Sequence, residues 1–126
     1  MPNWRNLVSV VVLSFSATSA SAGEVDVEAV TFQQAADGSY RFDVTLRHAD
    51  AGWDHYADRW EVLTPEGDII ATRTLYHPHV NEQPFTRSLS GVKLPAGIKQ
   101  VVIRGHDSVH GFGGKEKRVD LSAPSK

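Results

Sequence analysis

Tyr40-Arg41-Phe42-Asp43-Val44-Thr45-Leu46-Arg47 is the stretch that decides the fold class. Tyr40, Phe42, Val44 and Leu46 alternate with Arg41, Asp43, Thr45 and Arg47, so a repeat of two puts the large apolar side chains on one face and the polar ones on the other. A helix would scatter both sets around its surface, because it turns every 3.6 residues. The pattern therefore predicts a strand that lies half-buried on a core.

Working outward, residues 25–32 form a preceding strand whose apolar parity shifts between Val27 and Val30, which predicts a bulge or a move between sheets. Asp37-Gly38 closes the connection as a tight turn. Downstream, residues 59–63 make a third strand, and Thr64-Pro65-Glu66-Gly67 carries turn chemistry into a fourth at residues 68–76. Phe85, Arg87 and Leu89 mark a fifth strand, followed by a corner containing Pro95-Ala96-Gly97. Residues 99–104 and 117–121 are the sixth and seventh, joined through Gly111-Phe112-Gly113-Gly114. No stretch shows a helical period, and short strands at this spacing predict an all-β, seven-stranded antiparallel β-sandwich.

With Trp60 on the third strand, this arrangement resembles immunoglobulin-like and fibronectin type III domains, where a core aromatic often stands at that place. The resemblance implies an immunoglobulin-like sandwich. The cysteine pair of immunoglobulin domains is missing, since the chain has no cysteine at all.

The first residues read as an address rather than as part of the fold. Arg5, an apolar run over residues 7–15 and the small residues ending in Ala20-Ser21-Ala22 make a secretory signal with an A-x-A cleavage site. The apolar run is about half of the ~20 residues that a bilayer core requires, so no membrane span is expected once the signal is gone. The mature chain is expected to start at Gly23, to form one domain over residues 23–121 and to end in a polar tail at residues 122–126. Its home is then the periplasm, or the medium if it is secreted. Without cysteine there are no disulfides, no thiolate metal sites and no lipid carried on an N-terminal cysteine. A formal charge of -2 with interleaved signs predicts no nucleic-acid partner.

Function is carried by the six histidines, His48, His55, His77, His79, His106 and His110. Successive antiparallel strands reverse direction, so alternate connections meet at one end of a sandwich. The second (residues 47–57), fourth (76–84) and sixth (105–113) connections share an end and hold all six imidazoles. Imidazole is the commonest protein ligand for zinc and copper. With no soft sulfur ligand in the mature chain, Cu(II) or Zn(II) is the expected ion.

His77-Pro78-His79 is the first pair, because proline biases His77 to extended backbone and lets both rings project to one side. His106 and His110 chelate together if their segment makes a helical turn. His48 and His55 are reserve ligands. Asp50, Asp54, Glu82 and Asp107 lie in the same loops and supply carboxylates for the second nitrogen of bound imidazoles. A chain starting at glycine has no N-terminal histidine with which to grip an ion.

A competing reading uses the same end of the molecule without metal. Trp53, Tyr56 and Phe112 stand among the histidines and aspartates, as on a surface that binds a small ligand or another envelope protein. Trp53 and Tyr56 are equally compatible with a cap over the core. An enzyme is less favoured: neither a G-x-S-x-G elbow nor an H-E-x-x-H helix occurs, and Asp107-Ser108 alone makes no catalytic triad.

Overall fold

A computed structural model describes residues 23–122, and the expected secretory signal at residues 1–22 and the last four residues of the expected polar tail lie outside them. The seven strands are β1 (Asp26–Gln34), β2 (Tyr40–Arg47), β3 (Ala57–Leu63), β4 (Ile69–Thr74), β5 (Phe85–Val92), β6 (Gln100–Asp107) and β7 (Lys117–Asp120). They form two antiparallel sheets, β1-β2-β5 and β4-β3-β6-β7, which pack as a sandwich. Constant-type immunoglobulin domains place their fourth strand in the sheet of the first; here β4 stays paired with β3.

The two-residue period of β2 is realised as expected. Phe42, Val44 and Leu46 are fully buried and face Trp60, Val62, Val101 and Ile103 of the other sheet in one core. Trp60 is the largest side chain buried there. The parity shift in β1 is a break in register between Val27 and Ala29. Asp37 shapes the first turn, its carboxylate accepting from Ser39 N–H at 3.0 Å and Ser39 Oγ–H at 2.7 Å, while Gly38 takes φ of 91°, where a side chain would be strained.

Two strands run longer than their composition suggests, because pairing with neighbours continues past the apolar residues. Ala57 pairs with Asp107 and Arg59 with His106, so β3 begins two residues early and β6 ends three residues late. His106 therefore belongs to a strand rather than to a loop. Along β6, Val101, Ile103, Gly105 and Asp107 point inward and His106 points outward.

The first residues of β1 are tied to the β6–β7 loop by Val27 N–H donating to Lys115 O at 2.9 Å and by Lys115 N–H donating to Asp26 Oδ1 at 2.8 Å. Gly114 makes this approach possible, since a methyl group there would strike the Val25 carbonyl, 2.6 Å from its carbon. Backbone cannot rotate aside as a side chain can. Gly114→Ala is expected to lower stability by about 1–3 kcal/mol, the usual cost of overpacking. Thermal melts with and without the substitution check this, and an unchanged melting temperature would mean that the strap is not held closely in solution.

Candidate metal centre at the histidine end

Each loop of the histidine end delivers its side chains by a local device. His48 lies one residue past β2, at the next inward position after Leu46. Its backbone N–H donates to Gln83 Oε1 of the β4–β5 loop at 2.9 Å. His55 closes a short turn in which its N–H donates to Gly52 O and Ala51 N–H donates to His55 O. Asp107, the last residue of β6, caps the turn that follows by accepting from Val109 N–H at 2.6 Å and His110 N–H at 2.7 Å.

These devices converge on Asp107, which has no exposed surface. Its Oδ2 meets His48 Nε2 in a short contact and His55 Nε2 at 2.7 Å, and its Oδ1 lies 3.4 Å from His110 Nδ1. The rings of His48 and His55, and of His55 and His110, have centroids 4.9 Å apart. His48 Nδ1 reaches Asp50 Oδ1 at 2.5 Å on its far side. Asp50 in turn accepts from Ala57 N–H at 3.1 Å and from His79 N–H at 2.6 Å, so one carboxylate links β3 and the β4–β5 loop.

One ligand atom each from His48, His55 and Asp107 lies within 4.8 Å of the others, a spacing that a single ion can span. His48 is buried, His55 is partly exposed and His110 stands at the rim, so the cluster opens to solvent on one side. Asp50 fixes the His48 ring through Nδ1, which turns Nε2 toward the shared space.

The other expected ligands are placed differently. The rings of His77 and His79 are 4.7 Å apart, as the proline between them suggested. His79, however, stacks on Phe85 at 3.9 Å, and its Nε2 is 2.9 Å from Arg87 Nη2. A guanidinium only donates, so the Nε2 lone pair is already engaged. His79 Nδ1 is buried 3.9 Å from Asp50 Oδ2, without a hydrogen-bond partner among the described residues.

His106 and His110 do not form the expected chelate. Strand parity turns His106 to the outer face of its sheet, where Nδ1 meets Asp58 at 2.6 Å and the ring packs edge-on against Phe112 at 4.6 Å. Phe112 is itself covered by the guanidinium of Arg104, 3.7 Å from the ring centre. Asp54 is exposed, and Glu82 is exposed beside Arg87 at 3.9 Å. Neither carboxylate supports an imidazole. Trp53 is 67% exposed and Tyr56 packs edge-on against it at 5.6 Å, so Trp53 does not cap the core. Ser108 Oγ accepts from Tyr56 N–H and its own N–H donates to Tyr56 O, a clamp between two loops rather than a nucleophile beside a base.

Two participants were not apparent from composition. Arg87 lies on β5, eight residues past His79, and nothing in its local pattern marks the contact. Gly23 places its carbonyl oxygen 3.3 Å from His48 Nε2.

Burial alone would make His48 easier to deprotonate, but the hydrogen bond to Asp50 and the charges of Asp107 and Asp50 outweigh it and raise its pKa above 6.5. Burial opposes ionisation of both aspartates too. Hydrogen bonds from His48, His79 N–H and Ala57 N–H nevertheless hold Asp50 below 3.8, and those from His110 and Val109 N–H do the same for Asp107. His79 moves the other way, below 6.5, through burial and the positive Arg87.

No family profile matches the chain, and no solved structure matches it. A protein of Halomicrobium mukohataei named "Putative lipoprotein" is 46% identical over 100 residues, covering 79% of this chain and 49% of that protein. The chain thus spans about half the length of this relative.

A raised histidine pKa adds stability below the unfolded value of 6.5, and that contribution is lost as pH climbs through the folded value. Depressed aspartate values add stability above 3.8, lost as pH falls through the folded values. The buried cluster is therefore most stabilising between about 3.8 and 6.5 in the metal-free protein. His48→Gln removes the ionisable ring that bridges two buried carboxylates and is expected to cost about 3–5 kcal/mol in that window. The difference from wild type should shrink as pH rises above the window. Urea unfolding of both proteins in chelator at several pH values tests this, with the opposing His79 contribution common to both. A difference that stays flat across pH would contradict the assigned protonation.

Proposed function

We propose that this chain is an exported β-sandwich domain that holds one divalent transition ion, Cu(II) or Zn(II), on His48 Nε2, His55 Nε2 and Asp107 Oδ2. The observation that carries the reading is the convergence of these three atoms within 4.8 Å at a partly open, buried centre. Electrostatics favour a cation there: two buried carboxylates, Asp50 and Asp107, flank His48, and hydrogen bonds hold both below the usual carboxylate range. An ion held there would take the place of the protons that His48 Nε2 and His55 Nε2 direct at Asp107 Oδ2, both released to solvent, while Asp50 would keep the proton on His48 Nδ1 and stiffen that ligand. His110 completes the rim.

Export is supported by the signal-like start of the chain and by the lipoprotein name of the relative. Binding, delivery or sensing of the ion in the cell envelope is the role that fits a small domain without hydrolase signatures. The ion is its principal partner, and another envelope protein would receive or supply it.

His55→Ala should weaken Cu(II) or Zn(II) binding by more than roughly tenfold in calorimetric titration, at one ion per chain, with little change in circular dichroism. His106→Ala and His77→Ala should leave the affinity near that of wild type. Loss of binding in either of those two, with His55→Ala unaffected, would reject this ligand set.

A second reading rests on a different observation. Gly52, Trp53, His77, Pro78, Val80 and Glu82 line a groove of about 510 Å³ beside the cluster, with Trp53 and Val80 strongly exposed. Exposed aromatics at a groove are suited to a small organic ligand or a partner's apolar side chain. In this reading, protein prepared from the envelope in chelator retains a bound species, visible by native mass spectrometry, and Trp53→Ala releases it. Retention after that substitution would remove the groove from consideration.

A further inference from the structure

The Gly23 backbone meets the proposed ion site at His48 and His110, in a place that leaves no room for a side chain. Its carbonyl oxygen is 3.3 Å from His48 Nε2. Its Cα lies against His110, since a methyl group at this position would come within 2.8 Å of Cε1, 2.9 Å of Nδ1 and 3.0 Å of Nε2 of that ring. Only glycine fits here without moving His110. The segment that follows is pinned by the Val27–Lys115 and Asp26–Lys115 hydrogen bonds and by the Val25 carbonyl packed over Gly114.

Gly23 is also the residue that follows Ala20-Ser21-Ala22. Hydrolysis of the Ala22–Gly23 peptide bond leaves a carboxylate on Ala22 and an amine on Gly23. We infer that this processing step completes the site: the new α-amine of Gly23, with its own carbonyl oxygen, joins His48, His55 and Asp107 as a ligand to Cu(II). This rests on the reading of the histidine end as a metal centre.

Several physical points support the inference. An amide nitrogen has no available lone pair, whereas a neutral amine does, so the uncut chain lacks this donor. Two bonds of about 1.5 Å separate the amine from the carbonyl carbon, which places both donors in reach of one ion as a five-membered chelate. Donors bound to one ion at about 2.0–2.1 Å stand roughly 3 Å from their neighbours, which the 3.3 Å from Gly23 O to His48 and the 2.7 Å from His55 to Asp107 already approach. Amine, imidazole and carboxylate together form the nitrogen and oxygen set that Cu(II) prefers in tetragonal geometry. The ion would also staple the start of the chain to three loops, so occupancy reports that export has been completed.

The test compares the exported chain, its start verified by mass spectrometry, with the same domain carrying one extra serine before Gly23. The extra residue moves the amine by about 3.8 Å and leaves an amide in its place. The chain starting at Gly23 is expected to bind Cu(II) more than roughly tenfold tighter in calorimetry. Glycine labelled with ¹⁵N should alter the nitrogen hyperfine pattern of its Cu(II) spectrum, and this change should be absent from the extended form. If the extended form shows equal affinity and the label has no effect, the amine is not a ligand and the histidine–aspartate site stands without it. If neither form binds Cu(II) or Zn(II), the metal reading and this inference fall together. Exported protein that starts elsewhere than Gly23 would also overturn the inference.

Discussion

A buried carboxylate–imidazole–carboxylate chain, Asp50–His48–Asp107, is the constraint on which the functional end of this molecule depends. All three side chains are excluded from solvent. Burying charges is costly, and the cost is offset only when every group finds a partner. Asp50 therefore gathers N–H groups from Ala57 and His79, and Asp107 those from Val109 and His110. Ala57 begins β3, His79 lies in the β4–β5 loop, and Val109 and His110 lie in the β6–β7 loop. Satisfying these carboxylates is thus the same event as bringing the three loops together, and it sets His55 and His110 around Asp107.

This requirement also explains why neighbouring histidines end with different chemistry. His79 contributes its backbone N–H to Asp50, while its ring is held by Phe85 and Arg87. It serves as a wall of the site rather than as an open donor. His106 and Asp107 are adjacent in the chain, yet strand pairing sends one to the outer face and the other to the core. His48 and His55 instead meet on one carboxylate oxygen of Asp107. The aromatic groove at Trp53 lies alongside on the same loops.

Much of the fold was legible because its signals are local. Alternation in β2, the parity shift in β1 and the Asp-Gly and Pro-Glu-Gly turns each act over a few residues, and all seven expected strands are present. The ends of β3 and β6 were misplaced, since cross-strand pairing extends them through polar residues that carry no apolar signal of their own. That displacement had a functional consequence: it moved His106 from the sixth loop onto a strand. The grouping of the six histidines at one end was legible from strand reversal alone. Which of them approach one another was not. His77 and His79 lie side by side, His106 faces the other side of its sheet from Asp107, and the histidines that share an oxygen of Asp107 are His48 and His55.

By itself, then, the order of residues determined that the chain alternates into seven strands, that it has no cysteine thiolate to offer a metal and that its imidazoles sit at a common end. These follow from period, composition and chain reversal, which need no knowledge of distant contacts. Only the tertiary structure decided that His48, His55 and Asp107 share one space, that Arg87 engages His79 and that Gly23 closes against His110. Those outcomes depend on register across strands and on loops packing over a buried charge. Such terms couple residues dozens of positions apart, and no local pattern carries them.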